Sequence, residues 1–164
     1  MKKKWLLLIG VIISMISVPV SAISEAQKNA IIDHCAAIQN DLKNLQRDDS
    51  RTRVYLGRYY ETVLTKYITP LNVRLVENIL SNDNLVNNQN DLVKTRMSFN
   101  ANYVEYQKAL ESLVSVDCKT EPERFYRKLT GVREKRQIVA EDVTKLRKII
   151  TTQISLVESL KEKL

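Results

Sequence analysis

A four–three spacing of apolar residues runs along most of this chain, and it admits few folds other than long helices packed side by side. In the C-terminal segment the seam positions are Phe125, Leu129, Val132, Arg136, Val139, Val143, Leu146, Ile150, Gln153, Val157, Leu160 and Leu164. Only Arg136 and Gln153 interrupt it. A second seam, Leu92, Arg96, Phe99, Tyr103, Tyr106, Leu110 and Leu113, marks a helix from about 86 to 116. The first segment carries Ile31, Cys35, Ile38, Leu42, Leu45, Asp49, Thr52, Leu56, Tyr59 and Val63 in the same rhythm. Asp48-Asp49-Ser50 looks like a break followed by a new cap. Yet the phase passes through it without a slip and no Gly or Pro intervenes, so the spacing predicts one helix from about 25 to 69.

Stop and start signals complete the outline. Thr69-Pro70 should end the first helix, with Thr69 capping a short helix over 71–80 that lies across the top. Ser81 to Asn84 reads as a turn. The Asn-rich patch reads as a loop tip, with the polar run from Asn87 to Asp91 starting the second long helix. Thr120 and Glu123 have capping-box spacing and Pro122 suits a first turn, so the last helix should start near residue 121. Beyond residue 22 the only punctuation is Gly57, Gly131, Pro70 and Pro122. Sheets and loop-rich folds need far more. The expected fold is all-α: an elongated, coiled-coil-like three-helix bundle with a short extra helix.

The N-terminus has the three parts of a secretory signal. Lys2, Lys3 and Lys4 precede an uncharged run from Trp5 to Val18, then Pro19, then the small residues of Val20-Ser21-Ala22. That run is shorter than the roughly 20 residues that span a bilayer. Residues 1–22 are therefore expected to be a cleaved signal peptide, and 23–164 the helical domain, with no transmembrane anchor after cleavage. An uncleaved anchor is the alternative. Loss of three lysines would lower the net charge from +7 to +4, too weak to argue for specific nucleic-acid binding.

Export would place Cys35 and Cys118 where thiols oxidise, so one disulfide is the default reading and two free buried thiols the alternative. A bridge across so long a loop contributes roughly 4 kcal/mol in the chain-entropy model. Helix geometry then discriminates between topologies. A helix from Cys35 to Thr69 climbs about 50 Å, and one from residue 85 to Cys118 descends about as far. The sulfurs return to one level only if the first helix is unbroken at Asp48. The same register brings Asp49 and Arg136 to one height, with Tyr103 nearby. The two seam-breaking residues should therefore meet in the core as a polar pair that sets helix register.

Chemistry-bearing motifs are few. His34 beside Cys35 is the single soft-ligand pair, and zinc needs four ligands, so His34 reads as a surface residue and no metal or cofactor is expected. With only two glycines beyond residue 22, Gly-rich phosphate loops are excluded, and no catalytic residues are assigned: the chain reads as a non-enzyme. Basic residues do cluster. Arg47, Arg51 and Arg58 share one stripe of the first helix with Arg53 beside it, Arg124, Arg127, Lys128, Arg133, Lys135 and Arg136 crowd the start of the last, and Tyr55, Tyr59, Tyr60 and Tyr126 add aromatic rings. Together they are the candidate partner-binding surface, suited to an envelope or extracellular protein or to an anionic surface. A solvated face laced with ion pairs is the plainer reading. Apolar residues outside the seams, such as Ile138 and Ile154, leave room for a homo-oligomer.

The run Asn44 to Arg58, with Thr65-Lys66 and Pro70 to Val76, resembles uncharacterised small exported helical proteins of reduced-genome bacteria. The two cysteines and the Phe125-Tyr126 and Lys135-Arg136 pairs fit that pattern. The resemblance implies an exported helical protein of the periplasm, cell surface or medium, and it carries no activity. Size, basicity and export are also those of Skp-like periplasmic chaperones, whose strand-forming segments this chain lacks. Three roles thus stand from sequence: an interaction or scaffold rod, a periplasmic holdase, or a binder of polyanions or anionic lipid.

Overall fold

The computed structural model describes residues 23–162 apart from Ser81. The expected signal peptide over 1–22 and the seam position Leu164 lie outside the described residues. The described chain is all-α: α1 (Glu25–Asp33), α2 (Cys35–Thr62), a π-helical turn (Val63–Ile68), α3 (Thr69–Glu77), α4 (Asp83–Val114) and α5 (Pro122–Lys161). At the foot, Ser24 and Gln27 form a capping box that starts α1. His34 is the one non-helical residue between α1 and α2 (φ −103°, ψ 12°). No break occurs at Asp48.

The first column and α4 form an antiparallel hairpin in constant register. Cys35 is joined to Cys118 by a disulfide with Cα atoms 5.6 Å apart. Higher up, Gln39 donates to the Val116 carbonyl, Tyr106 to Asp49, and Arg96 pairs with Glu61. At the top Gln89 donates to Thr69 and Asn72 to the Leu85 carbonyl. Each residue climbed on one strand of this hairpin is matched by one descended on the other.

That register shows why helix continues past Thr69-Pro70, against the expected stop. Pro70 lacks an N–H and its ring crowds the carbonyl four residues earlier. The π turn widens the helix just there, and the Thr69 N–H donates to Leu64, five residues back. Thr69 itself is helical (φ −62°, ψ −50°) and caps nothing. Consequently α3 does not lie across the top but extends the column alongside α4. The π turn also rephases the core face. A straight α-helix lags a seven-residue repeat by about 20° per heptad, so by the fourth heptad Tyr60 is buried where Tyr59 was expected. Leu64, Ile68 and Asn72 follow in steps of four, which the extra residues per π turn keep on one face.

Two other local expectations are corrected. The α5 N-cap is Glu121 with no side-chain cap bond, so the Thr120–Glu123 capping box does not form. The Asn-rich patch is no loop tip: the run from Asn87 to Asp91 is helical as expected, and α4 already starts at Asp83, capped by the Asn82 side chain accepting from Asn84 N–H. Asn88 is buried, donating to Gln153 at 2.7 Å and to the Ile149 carbonyl at 3.0 Å. Burying such groups unbonded costs about 1–3 kcal/mol each, so a slipped register is penalised at this layer.

The seam on α4 is buried at Leu92, Phe99, Tyr103, Tyr106, Leu110 and Leu113, with Arg96 half-buried. Phe125, Val132 and Leu146 of α5 pack against it in two clusters, one around the disulfide and one around Tyr60 and Phe99. At the top, the α3–α4 turn closes as a Schellman motif. Leu80 N–H donates to the Leu75 carbonyl at 2.8 Å and Ile79 N–H to Val76 at 3.1 Å. This motif needs a left-handed residue, normally glycine. Here it is Ile79, at φ 59° and 94% exposed. Left-handed backbone costs an L-residue roughly 1–2 kcal/mol, and no burial offsets it. Ile79→Gly should therefore stabilise the fold by about 1 kcal/mol, raising Tm by about 3 °C; an unchanged or lower Tm would show that the turn is unstrained.

Candidate binding cleft

α4 packs closely on both neighbours, but α2 and α5 stay apart: among the described residues no Cα of one comes within 8 Å of the other. A cleft of about 370 Å³ opens between them. Its floor is the buried aromatic row of α4, Phe99, Tyr103 and Tyr106. These rings meet edge-on or tilted, with centroids 6.4 Å and 5.9 Å apart, and Tyr60 joins from the first column at 6.2 Å. Leu56, Val139 and Val143 form the apolar walls.

The expected polar pair lies at this cleft. Arg136 donates from Nε and Nη2 to the two oxygens of Asp49, at 3.0 and 3.2 Å. Both bonds cross between α5 and α2. Tyr106 Oη, from the floor, donates to the same carboxylate at 2.7 Å. The pair does not lie in the core, however. The Asp49 side chain is 20% exposed and that of Arg136 53% exposed, because the helices that carry them are held apart. Burial first, then the hydrogen bond and negative charge of Asp49, pushes the Tyr106 phenol well above its ordinary range. The bonds to Asp49 are likewise the main reason the Arg136 guanidinium is held more firmly protonated.

Two further arginines line the cleft. Arg53 stands 5.2 Å from the Tyr103 ring centroid, a cation–π placement, and Arg133 lies one turn below Arg136. The sequence places both only within its basic clusters at 47–60 and 124–136 and does not bring them together at a cleft. Their spacing held the signal, four residues beyond Asp49 and three before Arg136, which puts each beside a seam-breaking residue on its helix. Guanidiniums beside phenols supply positive charge and hydrogen-bond donors, a chemistry for holding anions rather than for breaking bonds.

The basic surface expected from sequence divides in two. Arg47 and Arg51 face Asp48 at 3.5 and 3.9 Å, and Arg58, Tyr55 and Tyr59 are exposed on the same helix. Arg47 lies about 18 Å above Cys35 by helical rise. Arg124, Arg127 and Lys128 stand instead at the foot of the molecule, near the disulfide. There Arg124 pairs with Glu121 at 2.8 Å, Lys28 with Glu123 at 3.8 Å, and Lys128 bonds the Ser112 hydroxyl. His34 is exposed at the α1–α2 junction.

The Asp49 site ranks its own interactions. Arg136 is a rim residue, so Arg136→Ala should cost under about 1 kcal/mol. Asp49→Ala also strips the acceptor from the buried Tyr106 hydroxyl and should cost about 2 kcal/mol. Urea unfolding of both single variants and the double variant checks this order; equal costs would mean that the Tyr106 bond contributes nothing. Comparison with protein-family models, curated proteins and solved structures finds no match to this chain.

Proposed function

We propose that this chain is an exported, non-catalytic helical rod of the cell envelope or extracellular space that holds a partner protein through the outer face of α2. The observation that carries this reading is the exposure of large apolar and aromatic side chains among arginines. Tyr55 is 69%, Val54 49% and Tyr59 45% exposed, beside Arg51 and Arg58. Tyr and Arg are the residues enriched at protein–protein interfaces, where an amphipathic ring adds contact area at little entropic cost. Arg58 makes no ion pair among the described residues, so its charge is free for an acidic partner.

Export is supported by the leader-like composition of residues 1–22 and by the disulfide, which belongs to oxidising compartments. A binding role is supported by where the reactive side chains stand. Both cysteines are tied to each other and the one histidine sits beside them at the foot, away from the cleft and from the α2 face.

A crosslinked pull-down from the envelope fraction tests the reading. One protein should co-purify with the wild type and be lost from the Tyr55→Ala/Arg58→Ala variant, both of whose positions are exposed. Recovery of no protein, or equal recovery by the variant, sinks the proposal. Suppression of aggregation of a denatured client would move the assignment to a holdase, and salt-sensitive retention on heparin to a polyanion binder.

A further inference from the structure

The α2–α5 cleft points away from Arg47, Arg51 and Arg58, the charged side of the partner face. On the α2 wheel Asp49, Thr52, Arg53 and Leu56 share one side and Arg47, Arg51 and Arg58 lie opposite, with Tyr55 on the flank and Tyr59 next to Thr52. Its charges do not balance. Three guanidiniums, Arg53, Arg133 and Arg136, meet one carboxylate, Asp49. That carboxylate already accepts from Arg136 and Tyr106. Arg53 and Arg133 have no ion-pair partner among the described residues. Stacking on Tyr103 holds the Arg53 guanidinium in place while leaving its donors for a ligand.

Apart from Thr52 and Gln137, the remaining lining is apolar or aromatic. Leu56, Val139 and Val143 meet water beside those cations. One heptad further along the same helix faces, about 10 Å away, Val63 and Ile150 border a second hollow of about 310 Å³ with Leu71, Ile154 and Val157. Cations at one end and, one heptad on, a mainly apolar hollow edged by Gln153 and Glu158 are together the complement of an amphiphile. The volume also lies within the range of small-ligand sites, about 300–1,000 Å³. We propose that the α2–α5 cleft binds a single-chain anionic amphiphile. Its carboxylate or phosphate head is held by Arg53 and Arg133, and its alkyl chain lies on Leu56, Val139 and Val143 toward the upper hollow. Guanidinium suits either head through paired N–H donors. The site is independent of the α2 partner face, so either assignment can fail alone.

Calorimetric titration of the purified protein tests the proposal, with dodecanoate below its micellar concentration, dodecyl phosphate, acetate and dodecyltrimethylammonium as probes. Dodecanoate or dodecyl phosphate should bind one per chain, and whichever is tighter names the head. Acetate and the cationic detergent should bind at least tenfold more weakly. Arg53→Gln and Arg133→Gln should each weaken binding at least fivefold. Ala140→Trp, an exposed position at the mouth, should block the chain while leaving the circular dichroism spectrum and Tm unchanged. Equal binding of the cationic detergent overturns the proposal. So does unaltered affinity in the three variants, or binding only to phosphatidylglycerol vesicles.

Discussion

The disulfide between Cys35 and Cys118 is the constraint from which the rest of this molecule follows. It ties the foot of the first column to the end of α4, so the two must run antiparallel in one alignment. In the chain-entropy model it contributes roughly 4 kcal/mol, a large share of the 5–15 kcal/mol that typically separates folded from unfolded chains. Every pairing above it, from Gln39 with Val116 to Asn72 with Leu85, continues that alignment. α5 starts four residues beyond Cys118, and its length, about 60 Å for 40 residues, is laid against α4 from the same foot.

The cleft has its origin in the same seams. Where α2 would meet α5, its seam carries Asp49 and then Thr52, and the α5 seam carries Arg136. None of these offers apolar area to draw the helices together, and the charges keep water nearby. α4 supplies the aromatic volume that a closed core would have taken from all three helices. The Asp49 carboxylate is therefore a bridge across a gap: it accepts from a buried phenol below and from an arginine on the far wall. The interruption that aligns the helices also leaves a lined hollow, the surface on which the proposed amphiphile site rests.

Periodic burial is legible in sequence because it is local, and the long elements that rested on it stand, except that the first helix expected over 25–69 is interrupted at His34 and its column runs on to Glu77. The α4 seam from Leu92 to Leu113 faces the core, the helix runs through Asp48–Ser50, and the cysteines pair. Features that depend on a partner elsewhere in the chain were hidden. Thr69-Pro70 carries a strong stop signal, yet tertiary packing of α3 on α4 outweighs it once the π turn makes room for the ring. Asn88 sits in a run that reads as solvated, but Gln153 and Ile149 of α5 provide its bonds. Asp142 gave no sign of burial; it is 3% exposed because Ser98 and Asn102 of α4 donate to it. The cleft was also invisible, since spacing predicts which face is buried but not whether two buried faces touch. Arg53 and Arg133 acquire meaning only once α2 and α5 are seen to stand apart.

The most direct measurement of the alignment is a peptide map of the protein digested without reduction, after alkylation in denaturant. The expected result is one covalently linked pair of peptides, one bearing Cys35 and the other Cys118, that separates on reduction. Recovery of both cysteines as alkylated, unlinked peptides would contradict the account, because nothing covalent would then hold the helices in step.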